Sequence, residues 1–449
     1  MNHNSSRTLL VRALCASLVG FSAAQAQDLS LKAKPQEKPI ALVNATIHPV
    51  SGPDIAKGFV VFDKGVISRV AAGDIPSVAG EKPEIIDCAG KHVYPGLLGA
   101  NTVIGLTEVE AARATRDYDE VGGITPEVRA AVSINPDSNL IPVARSNGVL
   151  SVAVIPMGGA ITGRVSVIAL DGWTSEDITI RDDVGVVVNW PSLRISNAWW
   201  QTKSESEQME DARKAIEVIS GAFDQASAYA AARAADPTVA SDIRWDAMRP
   251  AIEGKTRVFI HADELEQIES ACSWAEKRKL HAVIIGGLDA PLAAETLKRT
   301  GFPVIVTGVF RTPKRSDSPY DDAFTLPARL EAAGVSWCLA TGGGSFDAPH
   351  ERNLPYHAAM AVAYGLDPAV AIRAITLSPA QALGVADRLG TLEQGKDATL
   401  IITDGSPLEM TTTISRAFIR GRDVDLSNKQ TKLNEKYREK YRRMGIIAK

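Results

Sequence analysis

Histidine is scarce in this chain, seven among 449 residues. Beyond residue 26 it occurs as His48, His92, His261, His281, His350 and His357, with no H-x-H or H-x-x-x-H pair. A zinc or binuclear centre built from several imidazoles is therefore hard to assemble. Cysteine is as sparse. Cys15 sits near the start, and Cys88, Cys272 and Cys338 are an odd set without C-x-x-C spacing, which excludes a disulfide framework and a zinc knuckle. Cys272 has helical neighbours and Cys338 strand neighbours, so both read as core. No G-x-S-x-G elbow and no G-x-G-x-x-G after a strand occurs, so serine nucleophiles and dinucleotides have no foothold. Gly158 and Gly163 stand at phosphate-loop spacing, but Arg164 and Val165 follow where Lys and Ser/Thr are needed, and "VSVIALDG" continues as strand. A turn is the expectation there. Basic excess is also missing. The formal net charge is −4, and nothing points to nucleic acid.

What the chain does have begins with a leader. Arg7 and Arg12 precede the apolar stretch Ala13 to Ala24, and Ala24-Gln25-Ala26 has the small-x-small form of a cleavage site. Residues 1–26 read as a secretory signal peptide, too short to span a bilayer and removed on export. No later apolar run is long enough for a transmembrane helix. The expected location of the mature chain is periplasmic or secreted.

Residues 27–94 carry short strands with tight turns, as in "IALVNATIHPV" and "GFVVFDKGVISRVAA". The same texture returns in 390–425 with "GTLEQGKDATLIITDG" and "ISRAFIRGRDV". Two β-rich flanks suggest one β-sandwich built from both ends of the chain. Between them, 95–389 alternates β-branched runs ("GVLSVAVIP", "DVGVVVNWP", "TRVFIHAD", "HAVIIGG", "FPVIVTGV", "VSWCLATGGG") with helical patterns. In "DELEQIESACSWAEKRK", Leu265, Ile268, Cys272 and Ala275 share a helical face; Ala212, Ile216, Ile219 and Phe223 make a comparable stripe. Such alternation implies a parallel sheet with helices outside it, and the strand count favours closure into an α/β TIM-type (β/α)8 barrel. Residues 426–449 form a polar basic tail, expected as a solvated helix or a partner-docking arm.

Strand C-termini face the active-site mouth of such a barrel, which singles out a few side chains. His261 ends the strand in "VFIHADE" and is either a cleft residue or a satisfied structural histidine. Asp263 follows it; its spacing to Glu266 is that of an N-cap and N3 pair, so capping competes with a cleft role. Three glycines in "TGGGSFDAPHERNLPYH" permit close backbone approach, with Asp347 and His350 just beyond; the stretch reads first as an ordinary strand–loop–helix connection and second as a metal or acid–base pair. Asn101 lies in "PGLLGANTVIGL". Glu108, Glu110, Asp117, Asp119 and Glu120 form an acidic segment that reads as solvated loop.

At both ends the chain resembles the amidohydrolase family, especially exported members related to imidazolonepropionases and cyclic-amide hydrolases. "IIDCAGKHVYPGLLGANT" follows that family's strands into a P-G-[LI]-[IL]-D-x-H-x-H motif, and "AIRAITLSPAQALGV" with "LGTLEQGKDATLIITDGSPL" follows its last barrel helix and return to the sandwich. The resemblance implies a barrel with a composite β-sandwich, and one or two divalent ions such as zinc activating water at the mouth. Carried over position by position, the first-strand pair becomes Asn101 and Val103. The fifth-strand histidine is His261. The sixth-strand histidine falls at Gly286 or Gly287, and the eighth-strand aspartate, a general base in the family, at Gly342 after Thr341. No counterpart of the mid-barrel Lys or Glu is found before Lys255. Valine and glycine side chains donate nothing to a cation, so no metal is expected from these residues. Two readings follow. One is a hydrolase of C–N bonds in small or cyclic amides, rebuilt around His261, Asp347 and His350. The other is a non-catalytic periplasmic protein that binds a small molecule or pairs with a homologous amidohydrolase.

Overall fold

The computed structural model describes residues 27–75 and 82–448; the leader at 1–26, with Cys15, lies outside the described residues. Five strands open the fold: β1 (Ile40–Ile47), β2 (Ile55–Asp63), β3 (Val66–Ala72), β4 (Glu84–Asp87) and β5 (His92–Pro95). Eight follow in the middle: β6 (Leu97–Thr102), β7 (Val149–Val154), β8 (Ile161–Ala169), β9 (Thr179–Asn189), β10 (Arg257–Ala262), β11 (Ala282–Gly286), β12 (Val304–Thr307) and β13 (Trp337–Ala340). Three end it: β14 (Leu400–Thr403), β15 (Ile414–Ile419) and β16 (Arg422–Asp423).

The outer strands form one eight-stranded sheet in the order β16-β15-β14-β5-β1-β2-β3, with β4 also on β1. The C-terminal strands enter through β14, which pairs antiparallel with β5, Ile401 opposite Tyr94. Leu42, Ile47, Val60, Phe62, Leu400 and Phe418, drawn from both chain ends, bury their side chains in one cluster. That is the composite sandwich the sequence suggests.

The middle strands form the barrel sheet in sequence order from β6 to β13. Their β-branched runs are buried on both faces, as a helix-covered sheet requires, and Val152, Val186, Ile260, Ile284 and Ile305 share its core. Helix Leu265–Lys277 buries Ile268, Cys272 and Ala275. Helix Glu205–Ala235 starts at a Ser204–Glu207 capping box and buries Ile219, Ala222, Phe223 and Ala226; Ala212 and Ile216 of the expected stripe are half-buried. The three described cysteines are free and buried. The tail is the helix Lys429–Arg443, with no buried residue. No described helix is long and apolar enough to cross a membrane.

One strand departs from the all-parallel expectation. β8 runs antiparallel to both β7 and β9. The cause is connection length: only residues 155–160 join β7 to β8, and a parallel crossover needs about a dozen residues or more. This is where the Gly158–Gly163 stretch makes its turn. The link at 170–178 reverses the chain again, so β9 resumes the direction of β7 and the remaining strands stay parallel.

β6 and β13 have no ladder between them in the sheet order. A side chain fills the seam. The fully buried Glu351, from the 3-10 turn Ala348–Asn353, accepts a hydrogen bond from Thr341 Oγ1 at 2.6 Å. Its carboxyl stands where a Cβ at position 99 would be, so Gly99 makes the space for it. The β6–β7 register shifts between Gly99 and Thr102, and the Thr102 hydroxyl also reaches the carboxyl. Burial pushes the Glu351 pKa up to about 7, with the two threonines pulling the other way.

Two outcomes follow for stability. Gly99→Ala drives a methyl into the Glu351 carboxyl and is expected to cost ~1–3 kcal/mol, read by denaturant unfolding. Because the folded-state pKa of Glu351 is raised, its contribution is full below the ordinary value of 4.5 and is lost as pH rises through about 7. Melting temperatures of the wild type should therefore fall against those of Glu351→Gln between about pH 5 and about pH 8; parallel curves would show that the carboxyl is not protonated on folding.

Candidate functional site at the C-terminal end of the barrel

Strands β6, β10, β11, β12 and β13 end at Thr102, Ala262, Gly286, Thr307 and Ala340. The ladders align His261 with Asn189 on one side and with Ile285 on the other, and Ala262 with Gly286. Asn101, His261, Gly286 and Gly342 thus stand at the same end of one barrel. The fourth strand ends in Asn189, whose amide donates to the Gly159 carbonyl at 2.6 Å and the Gly158 carbonyl at 3.2 Å. No lysine or glutamate ends that strand.

The individual side chains go to different places. Asn101 is buried, its amide pressed against Gly343, where a φ of +83° and the lack of a Cβ admit it. Val103 is wholly in the core. His261 is half-buried, and burial pushes its imidazole pKa down to about 4. Asp263 is not the helix cap that its spacing suggested. Glu264 takes that position and Gln267 closes the capping box, with Gln267 Oε1 accepting the Asp263 N–H at 2.8 Å. The cap begins one residue later because the Asp263 carboxyl is drawn toward β11, over Gly286, where a side chain would otherwise be. Burial raises its pKa. The Asp347 carboxyl takes the corresponding place over Gly342, accepting the Gly344 N–H at 3.1 Å. His350 is exposed, its Nδ1 3.1 Å from the Phe346 carbonyl oxygen. The buried residues of that turn are Ala348 and its neighbour Glu351.

Sequence reasoning passed over the loop after β12. "VFRTPKRSD" sets three basic residues within five positions directly beyond a barrel strand, and that was the available signal. Arg315 binds both oxygens of Asp289, Nη1 to Oδ1 at 2.8 Å and Nη2 to Oδ2. Lys314 Nζ lies 3.1 Å from Glu264 Oε1, while Ser192 donates to Glu264 Oε2 at 2.7 Å. His357 Nδ1 accepts the Val309 N–H at 3.0 Å, and burial pushes this imidazole down to about 4 as well. Of the acidic segment, Glu110 accepts from the Tyr118 hydroxyl at 3.0 Å and Glu108 from Asn135 at 3.2 Å, so these two are tied into the fold and not freely solvated.

A divalent centre of the kind the resemblance implies does not fit these residues. Such an ion takes three or more protein donors with an open position. Among the described residues, no group of three or more His, Cys, Asp or Glu side chains could hold a metal ion. The mouth offers instead separate carboxylates and the imidazoles of His261 and His357, with a hollow of about 370 Å³ lined by Ser192, Arg194 and Glu264 at the same end. A larger cleft of about 580 Å³ opens at the opposite end, around Arg257 and His281 at the starts of β10 and β11; it carries none of the side chains above.

Comparison with known proteins agrees with this architecture. The imidazolonepropionase of Mesorhizobium japonicum is 24% identical over 384 residues, covering 78% of this chain and 87% of that protein. The imidazolonepropionase of Brucella suis is 31% identical over 147 residues, 33% of this chain and 35% of that one. The crystal structure of an amidohydrolase from Thermotoga maritima superposes with a TM-score of 0.74 at 25% identity, covering 86% of this chain and 99% of its own. The sequence profile of the Amidohydrolase family matches residues 179–424. With that match over more than half its length, on a barrel joined to a composite sandwich, the chain belongs to the amidohydrolase family.

Proposed function

We propose that the barrel mouth binds a small amide-bearing molecule and does not run metal-assisted hydrolysis. One observation carries this reading: the carboxylates of Asp263 and Asp347 take up the side-chain places at Gly286 and Gly342, and His261 is the imidazole that remains among the aligned positions. Lowering the pKa of a bound water toward neutrality needs a firmly held cation. One imidazole and the Asn101 amide make a poor set of donors. The relatives named imidazolonepropionase support a small or cyclic amide as the ligand class. Residues 1–26 support export, so the ligand would be met in the periplasm or outside the cell, where a homologous amidohydrolase could serve as catalytic partner.

A second reading keeps hydrolysis of C–N bonds. Burial, and to a lesser degree Asp347, raises the proton affinity of Glu351, and a carboxyl held protonated near neutral pH is what a general acid needs. The full burial of Glu351 in the seam counts against it, since a general acid must reach the leaving group.

Metal analysis separates the two from family chemistry. After incubation with zinc or manganese and desalting, the signal-cleaved protein is expected to retain far less than stoichiometric metal, unchanged in His261→Ala. A tightly held ion lost in that variant, with chelator-sensitive amidase turnover, would overturn the proposal. The state of His261 is checked by NMR titration. Its lowered pKa means that the stability tied to the neutral ring is present above the ordinary 6.5 and is lost as pH falls through about 4. A titration midpoint near 4 is expected, and one near 6.5 would show a ring open to water.

A further inference from the structure

The helix Lys429–Arg443 is joined firmly to the body and free along its length. Val424 is buried and Leu426 packs against the barrel core. The buried Asn428 then caps the helix, its Oδ1 accepting the Gln430 and Thr431 N–H groups at 2.9 and 3.1 Å. Beyond that cap no side chain of the helix is buried. A helix that is only solvated has no use for an apolar face, yet this one has one. Leu433, Tyr437, Tyr441 and, at the C-cap, Met444 are each between 40% and 59% exposed. At 3.6 residues per turn these four fall within an arc of about 80°.

The charges are sorted around that stripe. Lys429, Lys436 and Lys440 run along one border and Arg438 along the other, while Glu435 and Glu439 lie nearly opposite it. Lys440 Nζ stands 5.9 Å from the Tyr437 ring centre and 6.0 Å from that of Tyr441, as a border residue should. Glu439 is held by Arg442 and Arg443, at 3.5 and 2.9 Å. Seven Lys and Arg against two Glu make the helix strongly basic, in a chain whose formal net charge is −4.

The borders select what the stripe fits. Pairing with a second copy, in either orientation, would set one basic border against another. A plane of anionic headgroups over an apolar layer matches both the stripe and its flanks. Tyrosine suits that boundary, with an apolar ring and a polar hydroxyl. A lysine stem can lie along apolar surface while its ammonium reaches a phosphate. The helix has 15 residues, about 22 Å of rise, shorter than the ~30 Å of a hydrocarbon core. Its place is in the surface, not across it.

We propose that Lys429–Arg443 docks the protein on an anionic phospholipid surface. Leu433, Tyr437, Tyr441 and Met444 enter the boundary between headgroups and acyl chains. Lys429, Lys436, Lys440 and Arg438 meet headgroup phosphates, and Glu435 and Glu439 stay in water. The contact needs nothing from the barrel mouth, so it stands whatever the mouth binds.

The test is co-sedimentation of the signal-cleaved protein with vesicles of phosphatidylcholine alone or mixed equally with phosphatidylglycerol. The protein should sediment with the mixed vesicles only, and less as salt is raised. Lys436→Gln combined with Lys440→Gln should weaken that binding by ~30-fold. Tyr437→Ser combined with Tyr441→Ser should weaken it by ~10-fold or more. Both double variants should melt at the wild-type temperature, because none of these side chains is buried. The proposal is overturned by failure to sediment with the mixed vesicles, by equal binding to phosphatidylcholine alone, or by binding that survives both double variants. A solution dimer that the tyrosine variant dissociates would assign the stripe to a second copy instead. A lowered melting temperature in either variant would show that the face packs on the body, and is equally fatal.

Discussion

The first and last strands of the barrel meet around a buried carboxyl and two threonine hydroxyls, with no ladder of backbone hydrogen bonds between them. Glu351 can occupy that seam because Gly99 has no side chain and because the register slip in β6 brings Thr102 toward it. A buried carboxyl of this kind is tolerable when it carries a proton; Oε2 takes the Thr341 hydroxyl, while Oε1 is buried without a hydrogen-bond partner. The seam also sets the mouth. It fixes the turn Ala348–Asn353, and with it the placement of Asp347 over Gly342 at the end of β13.

The same device recurs around the barrel. At Gly286, Gly342 and Gly99 the missing side chain is replaced in space by a carboxylate from another segment: Asp263, Asp347 and Glu351. A metal centre needs its donors to converge on one point at about 2 Å. Each of these carboxylates is seated over its own glycine, and among the described residues no three such side chains gather on one point. Belonging to the amidohydrolase family therefore specifies the scaffold of this chain more closely than its chemistry.

Much of this was legible from residues alone. The β-branched runs in 149–154, 257–262 and 282–286 are long enough and apolar enough to be barrel strands in any context, and the stripe of Ile268, Cys272 and Ala275 could face only a core. The strand that ends with His261 and Ala262 follows from its β-branched run. Other positions were not legible. Asp263 has cap spacing, but capping is decided by which neighbour competes for the carboxyl, and Gly286 lies more than twenty residues away. His350 and Glu351 are adjacent in a 3-10 turn, so sequence gives no reason to prefer one as the inward residue; the cavity at Gly99 decides it. Lys314 and Arg315 were overlooked because a basic loop normally reads as solvated, whereas here both are tied to carboxylates.

Local sequence by itself determined the elements, their order and the joining of both chain ends into one sheet, because these depend on side-chain periodicity and turn chemistry within a few residues. Tertiary structure decided which side chains fill the emptied places, the reversal of β8 and the closure at Glu351. Those outcomes depend on contacts between segments up to hundreds of residues apart, where volume and charge compensation, and not local pattern, select the partner.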